Sequence, residues 1–156
     1  MTARRYRIDS PIGWLGIGLD AGDRLSAVDF LHGRPPPWPD LPSGHPVTQA
    51  LAAYFESARQ PEGVELAAAP TAFQARVRAA LLAIPPGQTR TYGELAAVLG
   101  SAPRAVGQAC RRNPLPLFVP CHRVVAADGA GGFGGHRDGP VAALKRRLLE
   151  HERTRA

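Results

Sequence analysis

The chain changes its hydrophobic pattern near its midpoint. Before residue 31, apolar and polar positions alternate in three short runs, at residues 4–9, 14–19 and 25–30, and a turn containing Gly22 separates the last two. Alternation of this kind is typical of strands that bury one face, so the pattern predicts an antiparallel meander. Residues 34–44 contain five prolines, which predicts an irregular surface loop.

One helix completes the first half. Apolar residues at positions 50, 51, 54 and 55 form a helical stripe within residues 47–57. Residues 62–70 fit a strand or a linker equally well. We expect a domain boundary at the end of that segment, with residues 1–69 forming an N-terminal α/β domain and residues 70–156 forming a C-terminal domain.

The second half predicts successive helices with clear ends. The first covers residues 71–84 and is followed by Pro-Pro-Gly. A Thr-x-x-Glu capping box at 91–94 opens a short helix that Gly100 ends. Ser101 is then expected to cap another helix, which runs to about Arg112. Two helices joined by a short turn are typical of a helix-turn-helix motif, although an ordinary helical hairpin with a solvated basic face fits the pattern equally well.

Charge also separates the two halves. Residues 1–70 carry six arginines against eight carboxylates, a net charge of −2, whereas residues 71–156 carry thirteen basic residues against five carboxylates, a net charge of +8. A basic excess confined to one part of a chain is typical of a polyanion-binding region. Nearly all the basic residues are arginine, which binds phosphate with two parallel hydrogen bonds. A GC-rich genome would produce the same preference for arginine without any function.

Other features exclude several classes of protein. No run of eighteen apolar residues is present, which excludes a membrane-spanning helix, and residues 11–19 lack the cleavage site of a signal peptide. The two cysteines, Cys110 and Cys121, cannot make a four-thiolate zinc site, and no metal is expected. We expect both thiols to be reduced, in a cytoplasmic protein.

The candidate chemistry concentrates in a Cys-His-Arg sequence at residues 121–123. It follows an apolar arm, residues 113–120, whose three prolines exclude an α-helix, and it precedes a predicted strand at 124–125. Imidazole and guanidinium neighbours favour the thiolate of Cys121, although a buried structural cysteine is the common alternative. Because adjacent side chains of an extended segment point apart, we expect His122 to reach the thiol through a water molecule and to need a carboxylate behind it.

Glu152 is the candidate for that carboxylate. Pro140 suits the first position of a helix that we expect over residues 141–152. Leu144, Leu148 and Glu152 share one face of this helix, and an ionisable group that continues an apolar stripe needs a partner. A frayed helix end is the alternative.

A glycine-rich segment at residues 129–135 surrounds Phe133 with five glycines. Glycine lets the backbone approach a ligand closely, and an aromatic ring can stack on a nucleobase. The spacing does not match a dinucleotide-binding fingerprint, and a plain flexible loop is the alternative.

Three motifs together resemble a known family. Arg-Ala-Val-Gly at 104–107, Asn-Pro at 113–114 and Pro-Cys-His-Arg-Val-Val at 120–125 closely resemble the O6-alkylguanine–DNA alkyltransferases, or methylated-DNA–protein-cysteine methyltransferases. The resemblance covers residues 71–152, and the first half matches only loosely, around residues 9–13. It implies an α+β fold, in which a small ribonuclease-H-like antiparallel sheet with a helix precedes a mainly helical winged-helix or helix-turn-helix domain.

The resemblance also implies a role for each catalytic candidate. Cys121 accepts the alkyl group of O6-alkylguanine, and of O4-alkylthymine, irreversibly. His122 deprotonates the thiol through a water molecule, and Glu152 lies behind the histidine. Asn113 holds the turn that shapes the site, and Tyr92 gives a proton to the guanine and assists its rotation. The thioether product is not hydrolysed, so each molecule acts once, without a cofactor.

The implied partner is double-stranded DNA containing alkylated guanine, bound by a monomer. The second helix of the helix-turn-helix motif is expected to enter the minor groove, where Arg104 fills the gap left by the flipped nucleotide. The implied DNA-binding residues are Arg104, Ala105, Gly107, Gln108, Arg111 and Arg112. The implied base pocket contains Phe133, where relatives usually have tyrosine, with Gly134 and Lys145. We expect Cys110 to be a small buried side chain, with a second reactive thiol as the alternative.

Two other functions fit the same residues. A cysteine hydrolase would use a thiol, an imidazole and a carboxylate, but it would release its product and turn over. A non-catalytic lesion-binding protein of the alkyltransferase-like type would bind the damaged base. Such proteins have replaced the nucleophile, which this chain retains as Cys121.

Overall fold

The computed structural model describes residues 4–127 and 140–155. The chain divides into two compact units. The first contains the residues up to Ala68 together with Pro114–Phe118, and the second contains Ala69–Asn113 and the residues from Val119 onward. Each unit has its own buried apolar core.

The sheet of the first unit consists of three antiparallel strands in the order β1-β2-β3. They are β1 (Arg4–Ile8), β2 (Leu15–Leu19) and β3 (Leu25–Phe30). The central strand β2 is buried along its whole length, and its Ile17 pairs with Tyr6 on one side and Val28 on the other. The predicted meander is confirmed.

The proline-rich loop covers the open edge of β1. The Arg7 N–H donates to the Pro39 carbonyl and the Leu41 N–H donates to the Arg7 carbonyl, both at 3.0 Å. The Arg7 guanidinium also pairs with Asp40 at 2.9 Å. The loop is irregular, as predicted, and it satisfies backbone groups that an open sheet edge leaves unpaired.

Helix α1 (Pro46–Ser57) follows this loop. It buries most of the stripe that the sequence predicted, with Val47, Ala50, Leu51 and Tyr54 turned inward. The segment 62–70, which fitted a strand or a linker, makes an isolated parallel bridge to β3 through Leu66.

The apolar arm belongs partly to the first unit. The Pro114 carbonyl accepts a hydrogen bond from the Val28 N–H at 2.9 Å, and the Phe118 carbonyl accepts one from the Gln60 amide at 3.1 Å. Between these anchors, Leu117 is fully buried and has a φ of 75°. This left-handed conformation is unfavourable for a residue with a Cβ atom. The arm contains no α-helix, as its prolines predicted.

The described part of the second unit contains four helices and a short pair of parallel strands. The helices are α2 (Ala72–Leu82), α3 (Tyr92–Leu99), α4 (Pro103–Arg111) and α5 (Pro140–Arg155), and the strands are β4 (Arg90–Thr91) and β5 (Val124–Val125). The predicted capping box of Thr91 and Glu94 is present, and Gly100 ends α3 with a φ of 63°. None of the helices within the described ranges combines the length and apolar character that crossing a membrane requires.

The prediction that Ser101 caps α4 is wrong. The Ser101 N–H instead closes the preceding helix by donating to the Ala96 carbonyl at 2.9 Å. Ala102 occupies the cap position of α4, and no side chain accepts a hydrogen bond there. Pro103 at the first helical position has no N–H to satisfy, which reduces the need for a cap. The helix ends at Arg111, one residue before the predicted end.

The capping box predicts a measurable contribution to stability. Replacing Thr91→Ala removes the acceptor of the Glu94 N–H, a hydrogen bond of 3.0 Å. We expect the free energy of unfolding, measured by urea titration, to fall by about 1 kcal/mol. Thr154→Ala makes the same chemical change at an exposed position near the end of α5 and should change it by less than about 0.5 kcal/mol. Equal losses in the two variants would contradict a capping role.

Candidate active site

Cys121 begins a single 3₁₀ turn, Cys121–Arg123, between the arm and β5. The Arg123 N–H donates to the Pro120 carbonyl at 3.0 Å, and the Val124 N–H donates to the Cys121 carbonyl. The prediction of extended backbone here is wrong, because prolines that exclude an α-helix still allow one tight turn after Pro120. The side chain of Cys121 lies almost entirely below the surface, with the residue 5% exposed.

Strand pairing and one side-chain hydrogen bond position this turn. Because β5 pairs in parallel with β4, Val125 lies beside Thr91, and the next residue, Tyr92, begins α3. On the other side of the turn, the Asn113 amide donates to the Val119 carbonyl at 2.9 Å. The turn therefore has fixed backbone on both sides.

Behind the turn lies a buried cluster of His122, Arg123 and Glu152, all with no exposed surface. Nε2 of His122 is 2.6 Å from Oε2 of Glu152. Arg123 donates to the same carboxylate twice, from Nε to Oε1 at 2.8 Å and from Nη2 to Oε2 at 3.1 Å. Glu152 comes from the last turns of α5, where the apolar stripe predicted that it would need a partner.

The hydrogen bond to Glu152 determines the tautomer of His122. An ionised carboxylate only accepts hydrogen bonds, so Nε2 carries the proton and Nδ1 of the neutral ring is an acceptor. Nδ1 is buried and has no hydrogen-bond partner among the described residues. Burial, together with the charges of Arg123 and Lys145, lowers the pKa of His122 despite the opposing effect of Glu152, so the imidazole is neutral near pH 7.

The expectation that histidine and arginine neighbours hold Cys121 as a thiolate is not met. Burial raises the pKa of the Cys121 thiol, and this effect exceeds the lowering by the Asn113 hydrogen bond and the Lys145 charge. The guanidinium of Arg123 is directed to Glu152 and to the Ile84 carbonyl at 2.8 Å. The positive charge that acts on the thiol therefore comes from Lys145 on α5.

Lys145 and Tyr92 face each other in the same region. The Lys145 residue is 2% exposed, and its Nζ donates to the Val124 carbonyl at 2.6 Å. The same Nζ is 5.8 Å from the centre of the Tyr92 ring. Burial, assisted by the nearby cysteines, raises the pKa of Tyr92 to about 12, so its phenol is protonated at neutral pH.

Helix α4 divides into a buried and an exposed side. Val106 and Ala109 are buried, and Cys110, which we expected beside them, is half-buried. Burial raises the pKa of Cys110 to about 12, so this thiol is protonated. The exposed side carries Arg104, Gln108 and Arg111, with the half-buried Ala105 and Gly107 between them, and the exposed Arg112 follows directly after the helix.

The remaining sequence predictions concern the base pocket and metals. Phe133 and Gly134 lie outside the described residues. Within residues 4–127 and 140–155, no group of three or more His, Cys, Asp or Glu side chains is placed to hold a metal ion.

Comparison with known proteins decides the family. The model of the 6-O-methylguanine DNA methyltransferase DNA-binding domain matches residues 72–154. A methylated-DNA–protein-cysteine methyltransferase of Mycobacterium tuberculosis is 42% identical over 97% of this chain and 93% of its own length. The chain belongs to this alkyltransferase family.

Solved structures of the alkyltransferase family have the same fold. The O6-methylguanine methyltransferase of Mycobacterium tuberculosis superposes with a TM-score of 0.81 at 40% identity, covering 99% of this chain and 95% of the other. Mycobacterium tuberculosis OGT in complex with DNA gives a TM-score of 0.80 at 39% identity, covering 98% and 94%. The predicted α+β class, with a small antiparallel sheet and a helical C-terminal region, is confirmed.

Arg123 is the site residue that sequence reasoning missed. The motif identified the alkyltransferase family, but it did not indicate that the guanidinium would bind Glu152 rather than act on the thiol. A signal was present, because Arg123 interrupts an almost entirely apolar stretch from 115 to 125. A charge in such a stretch is buried with a partner of opposite charge.

The lowered pKa of His122 predicts a pH dependence of stability. The unfolded chain takes up this proton near the ordinary value of 6.5, whereas folded His122 takes it up only at lower pH. Acidification through this window therefore favours the unfolded chain, by at most about 1.4 kcal/mol per pH unit for one proton. We expect the free energy of unfolding from urea titrations to fall between about pH 7 and 5.5.

Two variants assign this pH dependence to His122. His122→Asn should flatten the slope over the same window. His32→Asn, at an exposed position, should leave it unchanged. A slope that survives in His122→Asn would contradict the assignment.

Proposed function

We propose that this chain repairs DNA by transferring the alkyl group of O6-alkylguanine to the sulfur of Cys121. The observation that carries the proposal is the buried His122–Glu152 hydrogen bond next to the cysteine of the family motif. The methyltransferase names of relatives that match almost the whole chain support it. O4-alkylthymine presents an alkylated oxygen of the same kind and is included in the proposal.

The proton of the thiol leaves through His122. Nδ1 of His122 is the available acceptor. A water molecule between this atom and Sγ of Cys121 relays the proton, so the two side chains need not be in direct contact. Glu152 stabilises the imidazolium that forms. Because burial favours the neutral thiol, the proton moves as the sulfur attacks rather than beforehand. Asn113 assists by holding the backbone before the turn.

The guanine leaves as the new bond forms. The sulfur–carbon bond forms while the bond between that carbon and O6 breaks, and the electron pair of the broken bond goes to guanine. Tyr92 is protonated at neutral pH and donates a proton to the guanine ring, which makes it a better leaving group. The thioether has no carbonyl group for water to attack, so each molecule reacts once, and the step needs no cofactor.

Residues 70–156 supply the DNA-binding and alkyl-acceptor domain in this proposal. The nucleotide must leave the duplex to react, which costs a few kcal/mol of stacking and pairing. Arg104 on the exposed side of α4 fills the gap, while Ala105 and Gly107 allow close approach to the minor groove. Gln108, Arg111 and Arg112 bind the surrounding DNA. The base pocket is assigned to Phe133, Gly134 and Lys145.

Two alternative functions make different predictions. A lesion-binding protein needs no nucleophile, and the retained Cys121 counts against it. A cysteine hydrolase would turn over, whereas a thioether would not. The monomeric state and the cytoplasmic location that we expect from the sequence stay predictions.

Intact-protein mass spectrometry tests the acceptor directly. After mixing with a duplex that contains O6-methylguanine, we expect one methyl group per protein molecule and no further reaction with excess duplex. Cys121→Ala should gain none, and Cys110→Ser should still gain one. Tight binding of the duplex without any adduct would instead support a lesion-binding protein.

The role of Arg104 is tested by comparing two substrates. Free O6-benzylguanine needs no rotation out of a duplex, so Arg104→Ala should react with it at the unmodified rate. With duplex O6-methylguanine, the variant should react at least about tenfold more slowly, since about 1.4 kcal/mol of lost stabilisation corresponds to tenfold. Arg59→Ala, an exposed arginine of the first unit, is the control and should change neither rate. Equal slowing on both substrates would overturn the assignment.

A further inference from the structure

Arg123 is a buried, multiply hydrogen-bonded charged residue of the second unit that the proposed reaction does not use. Arg123 has no exposed surface, and its hydrogen bonds include three of 2.8–3.1 Å. Two go to the two oxygens of Glu152, and the third goes to the Ile84 carbonyl just after α2. Because a guanidinium is planar, these bonds fix the plane of the carboxylate relative to α2 and to the turn.

The orientation of this carboxylate matters for His122. Oε2 of Glu152 accepts from Arg123 at 3.1 Å and lies 2.6 Å from Nε2 of His122. A carboxylate without the guanidinium could rotate about its own axis or take up a proton, and a protonated carboxyl group can donate a hydrogen bond as well as accept one. Either change would remove the acceptor that keeps the histidine proton on Nε2.

The charge of Arg123, like its geometry, favours a neutral His122 with its proton on Nε2. Arg123 is permanently charged and neutralises Glu152, so a protonated His122 would be a second cation beside one carboxylate. Glu152, Arg123 and Lys145 are the charged groups that act on this imidazole, and both cations favour its neutral form. His122 is thus kept neutral, which leaves the lone pair of Nδ1 available to accept a proton.

We propose that Arg123 is a positioning residue, which keeps Glu152 ionised and oriented so that His122 presents a bare Nδ1 toward the thiol. Arg123 touches neither the sulfur nor the substrate in this role and acts only through Glu152. The inference rests on the proposed function, in which Nδ1 accepts the thiol proton.

Arg123→Lys separates orientation from charge. Lysine keeps a positive charge but cannot make two parallel hydrogen bonds to a carboxylate. We expect the second-order rate with free O6-benzylguanine to fall at least about tenfold, since general-base assistance contributes about 100-fold or more. Arg146→Lys, on the exposed side of α5, is the matched control and should react at the unmodified rate.

Arg123→Gln removes the charge as well. Glu152 then keeps its hydrogen bond to His122 but loses the neutralising guanidinium, and the imidazole loses a nearby cation, so we expect the pKa of His122 to rise. We expect the acid limb of the pH–rate profile to move to higher pH in this variant and to stay in place in Arg123→Lys. A residue that only supports the fold would lower stability without moving this limb.

Nitrogen-15 NMR of the histidine ring gives a measurement that does not depend on a variant folding. In the unmodified protein, His122 should be neutral with its proton on Nε2 between about pH 6 and 8, below and above its ordinary pKa. A ring that is protonated there, or that carries its proton on Nδ1, would overturn the proposal. An unchanged tautomer and rate in Arg123→Lys would also overturn it. Failure of the unmodified protein to acquire an alkyl group would instead refute the proposed function.

Discussion

One carboxylate, buried between two basic side chains, determines how this site can work. Glu152 is bound by Arg123 through both oxygens and by His122 through one, and none of the three side chains reaches solvent. Removing either charge of a buried pair leaves the other uncompensated, typically at about 3–5 kcal/mol. The cluster joins the segment after α2, the 3₁₀ turn and the end of α5, so the chemistry and the packing of the second unit depend on the same bonds.

The site keeps its nucleophile in an unreactive form. Burial raises the pKa of Cys121 and lowers that of His122, so both are neutral at rest. A permanently ionised thiolate would react with other electrophiles and oxidants, which matters for a protein whose cysteine cannot be regenerated. In the proposed reaction, the thiol becomes reactive only as its proton passes to His122, which suits a reaction that happens once per molecule.

Local signals predicted most of the elements, and long-range contacts account for what they missed. The capping box at Thr91, the end of α3 at Gly100 and the inward position of Glu152 each depend on a few neighbouring residues, and the sequence alone predicted them. Ser101 was misassigned because it lies in the short turn between α3 and α4, where its N–H bonds to the end of α3 and its side chain does not cap α4. The 3₁₀ turn at Cys121 was missed because proline rules exclude an α-helix without choosing among other conformations.

The partners of the charged side chains in the site also depend on long-range contacts that the sequence did not predict. Adjacency in sequence suggested that Arg123 would act on the thiol, but its partner Glu152 is twenty-nine residues away, and only the fold brings them together. Lys145 was assigned to a base pocket only through the resemblance, and the sequence did not indicate that its Nζ would donate to the Val124 carbonyl. Which of several cations faces a given group is decided by tertiary packing, which sequence spacing does not encode.

The backbone of the apolar arm is strained at Leu117, four residues before Cys121. Leu117 is fully buried at a φ of 75°, a conformation that costs a residue other than glycine on the order of 1–3 kcal/mol. The hydrogen bonds from Val28 to the Pro114 carbonyl and from Gln60 to the Phe118 carbonyl hold the arm in this strained conformation. Within the first unit, weakening these two hydrogen bonds would therefore free residues 114–118 to adopt a less strained backbone conformation.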